Sequence, residues 1–295
     1  MDLPFVDVVV PHLDDHHRLA LCLADLAAQS YPADRFSVTV VDNGSSRPVE
    51  QSVLAPARAR VLTEHRRGCG SARNHGVDDT AGTILAFTDS DCRPHPDWLL
   101  NGVKRLAEPG IDVVAGAIDV FAADEAAPTD AELFDKVFGF EARRYAERKH
   151  FATGANIMVS RRVFQVVGPF RDGTLPEDLD WGRRATRLGY RIVFCPEVKV
   201  RHPARRTMAD LRKKAERTCW HSRNLMAEQP LFRLRWAIYT AAMASPPLIK
   251  LSQILASPAL SGWTQRRRAA RAMLRVRGWK VATMLRFLVA PVPRA

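Results

Sequence analysis

A chain of 295 residues with 46% apolar and 26% charged residues is long enough and apolar enough for one large α/β domain plus an appendage, which excludes a disordered chain. The net charge of +12 is uneven: residues 206–295 hold 18 of the 44 basic and 3 of the 32 acidic residues, leaving 26 basic against 29 acidic before them, and no acid follows Glu228. Five scattered cysteines with no C-x-x-C pair exclude a disulfide framework and a zinc site.

Val6 to Val10 reads as a buried strand ended by Pro11, and His16 to Ala28 has helical spacing with Leu19, Leu23 and Leu26 on one face. Ser37 to Val41 is a second strand, closed by the turn signal Asn43-Gly44, and Arg60 to Leu62 a short third. After the Gly68-Cys69-Gly70 loop a helix is expected over Ala72 to Thr80, then a strand from Thr83 to Thr88 that delivers Asp89. Pro96 to Ala107 reads as a helix with Pro at its start, Val113 to Phe121 as a strand, and Ala131 to Ala146 as one polar-faced helix. Ile157 to Val159 is a short strand, Arg161 to Val167 a short helix, and Leu179 to Leu188 a helix stopped by Gly189. Two late strands, Ile192 to Cys195 and Lys199-Val200, precede a helix opened by Thr207-x-x-Asp210 and running to about Ala227. Strands alternating with helices in the first half imply a mostly parallel sheet, with ligands beyond the carboxyl ends of its strands, where Asp42 and Asp89 sit.

Asp89-Ser90-Asp91 is the centre of the chemistry. In an extended segment residues two apart point the same way, so both carboxylates could approach one hard cation and the diphosphate it bridges. The competing reading is a solvated Asp pair in a turn. Arg73 lies near an expected helix N-terminus after a Gly-rich loop, where backbone N–H groups and the helix dipole favour a phosphate. Gly154, in Gly154-Ala155-Asn156, leaves room for a sugar to approach the backbone. Asp42 alone reads as the start of an Asn-Gly turn, and Glu177-Asp178 alone as helix-start acids that complement the dipole.

Taken in order over residues 5 to 203, these segments resemble the family 2 glycosyltransferases, inverting enzymes of the nucleotide-diphospho-sugar transferase (GT-A) fold. The resemblance implies an α/β, Rossmann-like fold with a mostly parallel central sheet flanked by helices. It implies a UDP-sugar as the favoured donor, a divalent Mg²⁺ or Mn²⁺ cofactor, and an acceptor hydroxyl. By the same resemblance Asp42 contacts the base and Arg73 the nucleotide, with Pro11, Ser90 and Gly154 counted among the nucleotide contacts. Asp91 binds metal, Asp89 the ribose or metal, and His202 completes the metal shell, a loop histidine bonded to backbone being the alternative. Asp178 is the general base and Glu177 orients the acceptor. One departure stands out: where the family has a Pro-Thr-aromatic-Asn run, this chain has Pro11-His12-Leu13-Asp14-Asp15, keeping only the proline.

The tail, residues 206–295, is expected to be a separate basic helical region after a catalytic domain over 1–205. Trp236 to Ile249 and Leu251 to Gln265 are uncharged, parted by Lys250, and each is shorter than a simple membrane span of about 20 residues. Beyond them Arg267, Arg268, Arg271 and Arg275 share one helical face, with Ala269, Ala272, Met273 and Val276 opposite. Apolar runs beside a basic face with no acid read as attachment of 231–290 to an anionic leaflet, where nucleic-acid binding would explain the arginines but not the apolar runs. The other reading is a packed helical subdomain. The start Met1-Asp2-Leu3-Pro4-Phe5 lacks the pattern of a signal peptide, so the expected place is the cytoplasmic face of the membrane, with a lipid-linked or glycan acceptor. A catalytically silent membrane-docked scaffold is the alternative function. A sugar-phosphate nucleotidyltransferase ranks lower, because Pro11 to Arg18 has neither the Gly nor the Lys such enzymes need.

Overall fold

The computed structural model describes residues 3–227 and 229–289. In chain order the elements are β1 (Val6–His12), α1 (His16–Ala27), β2 (Phe36–Asp42), α2 (Gln51–Leu54), β3 (Arg60–Thr63), α3 (Cys69–Asp78), β4 (Ile84–Thr88), β5 (Arg93–Pro94), α4 (Trp98–Leu106) and β6 (Val113–Phe121). They continue through α5 (Asp130–Phe138), α6 (Ala142–Lys149), β7 (Asn156–Ser160), α7 (Arg161–Val167), α8 (Glu177–Arg187), β8 (Ile192–Pro203), α9 (Met208–Ala227), α10 (Phe232–Ala244), α11 (Leu248–Ala256) and α12 (Gly262–Val289).

The strands form one sheet in the order β3-β2-β1-β4-β7-β6-β8-β5. Its first four strands are parallel, and β7 runs antiparallel to both β4 and β6. Alternation along the strands feeds two cores. Val6, Val8 and Val10 of β1 pack with Leu19 and Leu23 of α1 on one face, and Val9 packs with Ala72 of α3, Phe164 of α7 and Trp181 of α8 on the other. β1 runs past the expected stop at Pro11. It pairs with β2 along its whole length but with β4 only as far as Val9, so at Pro11 it has a neighbour on one side only and the missing N–H interrupts no second ladder.

The chain divides into two compact units, Met1–Asp119 with Glu141–His202, and Val120–Phe140 with Pro203–Ala295. The expected single boundary at 205 is thus replaced by a division that also takes residues 120–140 into the second unit. The helix expected over 131–146 is two helices, α5 and α6, parted at Gly139–Glu141, one in each unit. The late strands are one continuous β8, so His202 belongs to a strand and not to a loop.

The second unit is largely helical and has its own cores. Thr129 and Glu132 start α5 with a reciprocal capping box, and Thr207 accepts from the Asp210 N–H at the start of α9, as its sequence suggests. Ala269 and Met273 of α12 pack with Leu133 of α5 and Ile254 of α11, while Val276 packs with Leu211 and Ala215 of α9. The apolar face opposite the arginines is therefore buried in protein. Asp135 accepts from the Arg205 backbone (3.0 Å) and guanidinium (2.9 Å), with Lys214 at 3.4 Å. Burial alone would raise its pKa, but the two cations outweigh burial and hold it below the usual carboxylate range. The uncharged stretch breaks at Ser245-Pro246-Pro247, and among the described residues no helix is long and apolar enough to cross a membrane. Residue 290 of the expected membrane segment lies outside the described residues.

Candidate active site

The carboxyl ends of β2 and β4, the start of α3 and the start of α8 gather the expected residues within the first unit. Arg73, buried on α3, donates Nη2 to Asp89 Oδ1 (2.7 Å) and Nη1 to Glu177 Oε1 (2.6 Å). Desolvation disfavours its charge, but Asp89 and Glu177 overcompensate, and its pKa lies above the ordinary value. One guanidinium thus ties the segment after β4 to the start of α8, two stretches far apart in the chain. Gly154 is what lets it in: a Cβ there would stand 2.5 Å from Arg73 Nη2.

Asp178 lies inside the first turn of α8, which begins at Glu177 rather than at the expected Leu179. The Gly154 N–H donates to its Oδ2 (3.0 Å) and the Leu179 N–H to its Oδ1 (2.7 Å). Burial, then the neighbouring Glu177 charge, push its pKa up to about 7, against the opposing pull of those N–H groups and of Arg73. A carboxyl poised near neutrality beside a guanidinium-fixed acid has the form of a general base.

The Asp89-Ser90-Asp91 segment is not extended. The Cys92 N–H donates to the Asp89 carbonyl (3.0 Å), so the segment is a tight turn, and its carboxylates go separate ways. Asp89 faces Arg73, and Asp91 lies 3.4 Å from His202 Nε2. The pairing of β5 with β8 brings the last two together, because Arg93 opposite Arg201 sets the preceding Asp91 turn beside His202. Desolvation raises the Asp91 pKa, His202 lowers it and Asp89 raises it further. The expected three-residue ligand set of Asp89, Asp91 and His202 is not assembled, and no three His, Cys, Asp or Glu side chains among the described residues are grouped to hold a metal. Asp91 and His202 nevertheless fit a hard divalent cation as two protein ligands, with oxygens of a substrate diphosphate and water completing the shell.

Asp42, at the end of β2, accepts from the Ser45 N–H (2.9 Å) and lies beside His12 in the β1–β2 register. His12 and Thr88 are buried with polar side-chain atoms that have no hydrogen-bond partner among the described residues. Pro11 is buried in β1, and Ser90 is buried between the two acids. Asn74 has a structural role, donating to the Phe170 carbonyl and accepting from its N–H, both at 2.9 Å.

The sequence did not single out Asp172. Its carboxylate accepts from the Gly70 N–H (2.9 Å), the Ser71 N–H (2.6 Å) and the Ser71 hydroxyl (2.8 Å). The anion expected at the start of α3 as a substrate phosphate is therefore supplied by the chain itself, a correction to the phosphate role of this helix start. The available signal was an acid in the Gly-containing loop shortly before Glu177.

The family model described as glycosyl transferase family 2 matches residues 7–168. Glycosyltransferase AglE of Haloferax volcanii is 32% identical over 209 residues, 69% of this chain and 68% of the relative. The pre-mycofactocin glycosyltransferase of Mycobacterium tuberculosis is 28% identical over 182 residues, and there the chain spans only 38% of the relative's length. Among solved structures, a Pyrobaculum calidifontis mannosyltransferase in complex with GDP-Man and Mn²⁺ superposes with a TM-score of 0.63 at 21% identity, covering 97% of this chain and 86% of the other. That likeness shows the fold, the helix-flanked, mostly parallel sheet of the GT-A proteins.

Proposed function

Because the chain belongs to glycosyl transferase family 2, we propose that it moves a sugar from a nucleotide-diphospho-sugar to an acceptor hydroxyl with inversion at the anomeric carbon. The observation that carries this reading is the Arg73 clamp on Asp89 and Glu177, with Asp178 next to it raised to about 7. Asp178 takes the proton from the acceptor hydroxyl as that oxygen attacks the anomeric carbon opposite the leaving diphosphate. Glu177, fixed by Arg73, orients the acceptor, and Asp89 with Arg73 meets the nucleotide. Asp91 and His202 would hold a divalent cation, which would offset the charge on the leaving nucleoside diphosphate. The family resemblance implies a UDP-sugar, and the mannosyltransferase structure holds GDP-Man, so both nucleotides belong in the test.

The second unit supplies the rest of the reading. Within it residues 206–295 carry 18 basic against 3 acidic residues, and α10 and α11 leave Ile238, Leu248 and Ile249 exposed, the last to 75%. An anionic leaflet matches both features, and with it a lipid-linked or membrane-proximal glycan acceptor. The test is nucleotide release from UDP-, GDP- and dTDP-sugars with Mn²⁺, Mg²⁺ or EDTA. Metal-dependent release from one donor, lost in Asp91→Ala, is the expected result. Release that survives both EDTA and Asp91→Ala would sink the reading.

A further inference from the structure

Tyr145 of α6 is half-buried, and its ring is held twice. The Phe151 ring stacks on it, with centroids 4.9 Å apart and 19° between the planes, and the Lys149 ammonium stands 5.1 Å from its centroid. This stack lies against the part of α8 that carries Asp178. The Phe151 N–H donates to the Tyr145 carbonyl (3.2 Å), and a Cβ at Gly182 would stand only 2.5 Å from Phe151 Cβ. Gly182 follows Asp178 by one turn, about 40° round the helix, so Phe151 packs on the face that bears the carboxylate. Three residues after Phe151, the Gly154 N–H holds Asp178 Oδ2 (3.0 Å).

The charge of Asp178 reaches the phenol. Burial, then the Glu141 charge and with it that of Asp178, push the Tyr145 pKa up to about 12, against the Glu141 backbone N–H and Arg144. The hydroxyl is therefore protonated at neutral pH. The Glu141 N–H faces its oxygen, and its own proton meets no acceptor among the described residues. A largely buried tyrosine ordinarily spends that proton on a partner. Packing against Phe151 accounts for the ring but not for an unspent donor beside Asp178, whose two oxygens each already accept a backbone N–H.

We propose that Tyr145 reads the acceptor: its hydroxyl donates to an acceptor oxygen that adjoins the hydroxyl presented to Asp178. The proposal rests on the transfer reading above and deepens it, since it requires an acceptor with two neighbouring oxygens, as on a sugar ring, and not a lone alcohol. A site built to hydrogen-bond a second oxygen rejects an analogue that lacks it.

The chain has four tyrosines, so with ring-labelled tyrosine the Tyr145 NMR signal is identified by its loss from Tyr145→Phe, which keeps the ring. That signal should shift with pH through about 7, as Asp178 ionises, and the shift should vanish in Asp178→Asn. No shift, or one that survives in Asp178→Asn, takes Tyr145 away from the base and overturns the proposal. Hexyl glucoside, hexyl mannoside and hexyl N-acetylglucosaminide, added with UDP or GDP and Mg²⁺, are the probes of contact. At least one should move the Tyr145 signal where hexan-1-ol does not, and no movement by any of them overturns the proposal as well. In transfer assays the natural chain should prefer a glycoside to hexan-1-ol. Tyr145→Phe should raise the glycoside KM roughly three- to tenfold and leave the donor KM in place. An unchanged glycoside KM, or equal use of glycoside and hexan-1-ol by the natural chain, contradicts the assignment. Equal rises in both KM values mean a structural role and contradict it too. Turnover of no donor by either protein counts against the transferase reading, while the Tyr145 signal decides the contact by itself.

Discussion

Asp178 has to be ionised to accept a proton, so with its pKa near 7 turnover is expected to climb with pH through about 7 and level off above it, as a pH–rate profile would show. Arg73 stays charged throughout and adds no second limb. The same shift acts on stability in the opposite sense. Between the ordinary carboxylate range and about 7 the folded chain holds a proton that the unfolded chain has released, so stability falls as pH rises through that window. Asp178→Asn should flatten that fall in denaturant titrations run across the same pH range. Gly154→Ala tests the clamp from its other side. The added Cβ displaces Arg73, and a misplacement of about 1 Å costs on the order of 10²-fold in turnover. Unchanged turnover in Gly154→Ala would mean that the Arg73 position does not matter.

At the scale of elements, Asp172 fastens the loop before α8 to the start of α3. Asp172→Ala removes a helix cap and should lower stability by about 1 kcal/mol, measured as a shift in denaturant midpoint. It should also lower turnover, since the same loop leads into Glu177. The sequence was most legible where local pattern suffices: the strands before Asp42 and Asp89 and the Thr207 start of α9 lie where periodicity and turn residues put them. It was least legible where the partner is distant. The Asp89–Asp91 turn looks extended because a strand leads into it, while the turn itself, Arg73 and the β5–β8 register send the two carboxylates to different partners. The start of α3 looks like a vacant anion site because its occupant, Asp172, lies a hundred residues away. Pro11 looks like a strand end because nothing local says that β4 stops pairing at Val9.

For the whole molecule, the charge imbalance was visible in the sequence but the use of the tail was not. The apolar face of α12 was expected at a lipid surface and is instead covered by α5, α9 and α11, since periodicity tells that a face is buried and not by what. On the proposed reading, a membrane surface would meet exposed apolar residues such as Leu248 and Ile249 of α11. Replacing Leu248 and Ile249 together by Asp should reduce binding to phosphatidylglycerol vesicles by about tenfold or more, and the remaining binding should weaken with salt. Undiminished sedimentation with vesicles would remove that surface from the account. The measurement that goes most directly to the chemistry is donor affinity and metal-dependent donor turnover of Asp178→Asn beside the natural chain. Affinity within about twofold and turnover lower by about 10²–10⁴-fold is the expected result for the loss of a general base, and near-natural turnover with intact binding would contradict it.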